Sequence, residues 1–170
     1  PIVGFWTPRE KPMAMPELPA EPTGPKQQHL DIDYRCAKAE RFFAQKRFFG
    51  VMLPHVSVDL GPGSLALYLG GEPGFSKETV WFEPRPDLLE DPESVPLPEF
   101  DPENPWWKTH LDLVRRAGQA VDGRCYIAVP DLVENIDILA ALRGPQNTLV
   151  DMMDRPEWVK RWLERIEHLY

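Results

Sequence analysis

The sequence contains no run of about 18 apolar residues, so nothing in it is expected to span a bilayer. It has only two cysteines, Cys36 and Cys125, far apart and outside any Cys-x-x-Cys pair. That excludes a disulfide framework and a zinc knuckle. Both read as buried, reduced thiols, which points to a reducing, cytoplasmic setting. No Lys/Arg cluster stands out and the net charge is −8. A nucleic-acid backbone is therefore not an expected partner, and the acidic balance serves solubility. The opening Pro1-Ile2-Val3-Gly4 carries neither an initiator Met nor a signal-peptide pattern, so a processed terminus or residues upstream are expected. There is no internal repeat.

What is plentiful is proline, 20 in 170 residues. Most of it falls in the first 25 positions and between Pro84 and Pro105. Proline fixes φ and removes a backbone donor, so both stretches are expected to be extended loop. Hydrophobic content of 42% and charged content of 27% fit one soluble globular domain with a sizeable core. The division expected is an extended proline-rich arm over 1–30 and a folded body over 31–170.

Asp31 to Phe49 places Ile32, Cys36, Ala39 and Phe43 on one helical face, with Gly50 as the stop. Residues 51–60 read as a buried strand ending at Gly61-Pro62-Gly63, and Ser64 to Leu69 as a short apolar helix. Residues 79–83 read as a second strand and 125–129 as a third. Trp106 to Val121 reads as helix, with Leu111, Val114 and Ala117 or Gly118 inward. Helix is also expected over 135–143, around Thr148–Met153, and from a cap at Asp154 to the end. Glu157 would complete a capping-box pair with Asp154, and Val159, Trp162, Leu163 and Ile166 would form the apolar stripe. Alternating strands and helices predict an α/β fold on a parallel sheet. Three strands cannot close a barrel of eight. The final stripe also needs a surface to bury it, which favours part of a larger barrel over a finished small sheet.

Three segments together resemble the uroporphyrinogen decarboxylase superfamily, in its divergent bacterial, decarboxylase-like members. They are Pro54-His55-Val56-Ser57-Val58-Asp59-Leu60-Gly61-Pro62-Gly63 through Leu69-Gly70; Phe100-Asp101-Pro102-Glu103-Asn104-Pro105-Trp106-Trp107; and Asp131-Leu132 through Ile136 to Leu142-Arg143-Gly144 with its sequel Asp154-Arg155-Pro156-Glu157. The resemblance implies a (β/α)8 TIM-type barrel of roughly twice this length. This chain would be its amino-terminal half: an arm and about three βα units, completed by the remaining half or by a homodimer partner. It implies decarboxylation of, or methyl transfer involving, a carboxylate-bearing or corrinoid-linked small molecule. No cofactor is implied in this half; zinc or a corrinoid would belong to the intact protein if it is methyltransferase-like. The different reading is a non-catalytic binding or scaffold protein that retains the barrel shell.

Barrel sites lie where strands end. Applied to the three strands, that rule picks out Asp59, Glu83, Asp131 and Asn135 on its own. The resemblance assigns Asp59 as the catalytic carboxylate, and Arg9 as the one arm arginine available to grip substrate carboxylates. The second arm arginine and the phenol expected after Pro130 are absent, with Ile136 near the latter place. His55 is an acid–base candidate near neutral pH or a hydrogen-bonded core histidine. Asp59 reads equally as a turn residue beside Gly61, Glu83 as a solvated loop acid, and Asn135 as a helix N-cap. His55 and Cys125 have no metal-ligand spacing.

Overall fold

The computed structural model describes residues 3–133 and 135–170. In chain order the elements are β1 (Gly4–Pro8), α1 (Pro25–Leu30), α2 (Ile32–Gln45), β2 (Lys46–Gly50), β3 (His55–Val56), α3 (Leu65–Tyr68), β4 (Glu72–Phe75), β5 (Val80–Glu83), α4 (Pro86–Glu90), α5 (Pro105–Val121), β6 (Tyr126–Ile127), α6 (Ile136–Arg143), α7 (Pro145–Asp154) and α8 (Pro156–Leu169). The fold mixes helix and strand, and its strands form three two-stranded sheets. No closed barrel is formed among the described residues. No described helix is long and apolar enough to cross a membrane. The chain divides into two compact units: Pro1–Val58 with His110–Val129, and Asp59–Thr109 with Pro130–Tyr170.

In the first unit, α2 starts where the Asp31 side chain accepts from the Tyr34 amide at 3.0 Å, satisfying one of the free first-turn donors. The helix ends at Gln45, four residues before the expected last helical residue, Phe49. Lys46–Gly50 instead pairs antiparallel with Gly4–Pro8, from Gly4↔Gly50 to Pro8↔Lys46. The alternation of side chains explains why the strand wins. Trp6 and Phe48 face Phe42 and Phe43, with Trp6–Phe42 at 5.7 Å and Phe43–Phe48 at 5.8 Å, while Phe5 and Phe49 stack at 5.1 Å on the other face. Gly50 turns the chain at φ +67°, where a Cβ would lie 2.0 Å from the Val3 carbonyl oxygen. The expected arm thus contains a strand and a six-residue helix, α1.

Strands β3 and β6 pair in parallel, His55 with Tyr126 and Val56 with Ile127. This is the expected parallel pairing of 51–60 with 125–129, shortened to two residues each. Helix α5 enters this unit with His110, Leu113, Ala117 and Val121 buried. Its inner face is therefore rotated from the expected Leu111 and Val114, although Ala117 is common to both. Cys36 is buried and Cys125 half-buried, both free thiols. Burial pushes the Cys36 thiol up to about 11, with the charges of Cys125 and Asp33 adding to it.

In the second unit, Val80–Glu83 runs antiparallel to Glu72–Phe75. The expectation of a parallel neighbour for 79–83 is corrected by a local turn. The Ser76 hydroxyl accepts from the amides of Glu78 and Thr79 at 3.2 and 3.0 Å, which folds the chain straight back into a hairpin. Pro73 and Gly74 hid the first of these strands, since both residues ordinarily argue against one. Gly74 is needed there: a Cβ would sit 2.2 Å from the Trp81 indole.

Helices α6, α7 and α8 pack on one another. Trp158, Val159, Trp162 and Ile166 of α8 are buried, so the stripe expected to lack a cover is covered within its own unit. Each such side chain contributes roughly 1.5–3 kcal/mol. The proline-rich loop, which includes the short helix α4, is held through carbonyls. Trp158 Nε1 donates to Pro92 at 2.9 Å, and Arg165 Nε donates to Pro98 at 2.8 Å. Prolines keep their acceptors when they lose their donor. Asp154 closes α7 rather than capping α8, whose N-cap is Arg155 with no side-chain cap bond. Glu157 pairs instead with Lys160 at 2.7 Å.

Candidate functional site

In the second unit, the loop after Asp59 is clasped to the loop that starts at Asp131. The Gly63 and Ser64 amides both donate to the Asp131 carbonyl, at 3.2 and 3.0 Å. The Asp131 amide donates to Asp59 Oδ1 at 2.7 Å. Asp131 in turn accepts from the Val133 amide through its own Oδ1 at 3.1 Å. Two sequence-predicted carboxylates, 72 positions apart, are thereby brought together.

Glycine lets the Asp59 loop turn closely against β5. At Gly61, φ is +92° and a Cβ would lie 2.8 Å from the Val80 carbonyl oxygen. The facing loop carries the strain, because Val133 and Asn135 have φ of 47° and 63°. A β-branched residue with positive φ is a true outlier, costing on the order of 1–3 kcal/mol, and such outliers cluster at functional sites. Beside the clasp lies a cleft of about 210 Å³ lined by Pro62, Gly63, Phe82, Val133, Asp137 and Ile138. Ligand pockets typically run to about 300–1,000 Å³, so this cleft by itself has room for a small group.

Tyr68 is the residue that sequence reasoning missed. It lies on the short buried helix α3 and is 4% exposed. Burial pushes its phenol above the ordinary tyrosine range, and the charge of Asp59 pushes the same way. It therefore stays a proton donor across the physiological range. Its only sequence signal was a hydroxyl in an otherwise apolar run, which reads as core. Its ring meets Trp107 edge-on at 5.2 Å.

The remaining predicted residues are placed elsewhere. Glu83 is exposed and accepts from Trp81 Nε1 at 2.6 Å; alternation along β5 turns it away from the cleft that Phe82 lines. Asn135 is the N-cap residue of α6, exposed, and its side chain makes no cap bond. Arg9 and His55 belong to the first unit. His55 opens β3, exposed, with Nδ1 3.1 Å from the Leu53 carbonyl oxygen. Arg9 follows β1, half-buried. For zinc, no cluster of three or more His, Cys, Asp or Glu exists among the described residues. Comparisons with models of known protein families, with curated proteins and with solved structures returned no match.

Proposed function

We propose that the chain forms the first βα units of a divergent uroporphyrinogen decarboxylase-like barrel. Its substrate would be a carboxylate-bearing or corrinoid-linked small molecule, and its reaction decarboxylation or methyl transfer in a cytoplasmic setting. The observation that carries this reading is the pairing of strand ends. Two strands run parallel, and the segments that follow them supply Asp59 and Asp131, joined by a hydrogen bond. Parallel neighbours that deliver acidic residues from their carboxyl ends are what a barrel site requires. In this reading Asp59 is the catalytic carboxylate, and the buried Tyr68 phenol is near enough to feel its charge.

The test is Asp59→Asn in the intact protein. Asparagine keeps an oxygen acceptor for the Asp131 amide, so the clasp survives while the charge is lost. Turnover, or binding of a corrinoid or of a tetrapyrrole bearing four acetates followed by absorbance, should disappear. The melting temperature should stay within a few degrees of wild type. Unchanged binding and turnover would refute the assignment of Asp59.

One observation favours a non-catalytic scaffold instead: Asp59 Oδ1 is engaged by a backbone amide, as a structural aspartate would be. In that case Asp59→Asn changes neither ligand binding nor stability, while Asp59→Ala loosens the fold.

A further inference from the structure

We propose that the first unit carries a binding site for a flat, apolar small molecule bearing one anionic group, in the cleft bounded by α2, the β1–β2 ladder and the segment through β3. The cleft measures about 540 Å³, within the roughly 300–1,000 Å³ of small-molecule pockets. Its walls follow from two periodicities. Along α2, Arg35, Lys38, Ala39 and Phe42 stand at spacings of three and four and so share one side of the helix. Across the ladder, Trp6 is paired with Phe48, and both face the α2 aromatics. The rings of Trp6, Phe42, Phe43 and Phe48 meet edge-on at 5.7 to 6.4 Å, and the small Ala39 side chain leaves room beside them.

Exposure and charge say what the cleft would hold. Trp6, Phe42 and Leu53 are 43%, 40% and 51% exposed, apolar surface of the kind that marks a binding site. The fixed charges that line it are both positive, those of Arg35 and Lys38, and no carboxylate stands among the lining residues described. The chain as a whole carries a net charge of −8, so the sign of this cleft runs against the average. Arg35 is spent on the carbonyls of His29 and Ser57, to which it donates at 2.7 Å each. Lys38 is exposed and makes no ion pair among the described residues; its Nζ lies 5.8 Å from the centroid of the Tyr34 ring. Lys38 is therefore the group open to an anion at the rim, while the rings take the apolar body. His55 also lines the cleft and opens β3, whereas a barrel site gathers where strands end. This site does not depend on the role assigned to Asp59, and either can fail alone.

The test titrates the 170-residue protein with anilinonaphthalene sulfonate, followed by fluorescence, and in parallel with phenylnaphthylamine, the same ring system without the sulfonate. The sulfonate dye should saturate at one per chain and bind about twofold to fivefold more tightly than the neutral dye, as an exposed ion contact allows. Lys38→Gln should abolish that preference and leave the affinity of the neutral dye unchanged. Leu53→Glu, which adds a carboxylate to the lining, should weaken the sulfonate dye at least about tenfold. Both variants change exposed residues, and melting curves that match wild type show that they keep the fold. Leu149→Glu with Met153→Glu, which removes the exposed apolar side of α7, should change neither affinity. Equal affinity for the two dyes in the wild type would overturn the proposal. So would sulfonate-dye binding that survives Leu53→Glu, or that is lost in the α7 variant.

Discussion

Asp59 and Asp151 are both hydrogen-bonded aspartates, and their surroundings give them different consequences. Removing the Asp59 side chain by Asp59→Ala leaves the exposed Asp131 amide to water, at a cost of about 0.5–1.5 kcal/mol. Asp59→Asn leaves that bond, so urea unfolding should separate the two variants by most of that amount. Asp151 is fully buried and held by Arg143 Nε at 2.7 Å and Arg155 at 2.5 Å. Burial pushes its carboxyl up, but the hydrogen bonds and charges of the two arginines outweigh it and leave the group below the usual range. A carboxylate depressed in the folded state adds stability that is present above its unfolded value, about pH 4, and is lost as pH falls through the folded one. Urea midpoints should therefore drop below about pH 4 in the wild type. Asp151→Asn should cost about 3–5 kcal/mol at neutral pH, as breaking a buried pair does, and should flatten that acid dependence. An Asp151→Asn midpoint equal to wild type would remove the pair from the stability account. The Arg143 and Arg155 positions that carried part of the family resemblance are thus structural here.

Glycine separates turn from helix at the scale of elements. Gly61 sits at positive φ against Val80, whereas Gly118 lies within α5 with nothing within 4 Å of an added Cβ. Gly61→Ala should destabilise by at least about 1 kcal/mol through clash and backbone strain. Gly118→Ala should stabilise by up to about 1 kcal/mol, because alanine loses less freedom in a helix. Thermal melts of the two variants should move in opposite directions, and the same sign in both would mean that one of these environments is misjudged. On α8, Trp162 is 1% exposed and meets Trp158 at 5.3 Å. Trp162→Ala should cost about 3–5 kcal/mol, read as a fall in urea midpoint.

At the scale of the whole molecule, α7 rather than α8 leaves an apolar side exposed, alongside other exposed apolar residues such as Val51, Leu53, Tyr126 and Val129. Leu149, Val150, Met152 and Met153 are 65%, 55%, 48% and 81% exposed. Spacings of one, three and four place them along one side of the helix. Exposed apolar patches of this kind drive association, so sedimentation should show concentration-dependent self-association. Leu149→Glu with Met153→Glu should shift the protein towards monomer without lowering its melting temperature. A wild type that stays monomeric at every concentration would mean that this face is too small to act.

The sequence by itself determined most of the longer helices, because their periodicity and stops are local, but not α1 and α4 within the proline-rich stretches or the end of α2. The stripe of α8, the apolar α3 and the extent of α5 follow from residues three and four apart and from Gly and Pro punctuation. It also determined where carboxylates sit along the chain, and so marked Asp59 and Asp131 as strand-end residues. Only the tertiary structure decided what those residues meet. Lys46–Gly50 leaves the helical pattern because Gly4–Pro8, some forty residues earlier, offers it a ladder and aromatic partners. Asp59 accepts from an amide 72 positions on, and Tyr68 becomes a perturbed phenol because folding buries it near that charge. Strand pairing, burial and electrostatic environment depend on contacts between distant residues. A pattern read three or four positions at a time therefore records the faces of elements but not what each face will touch.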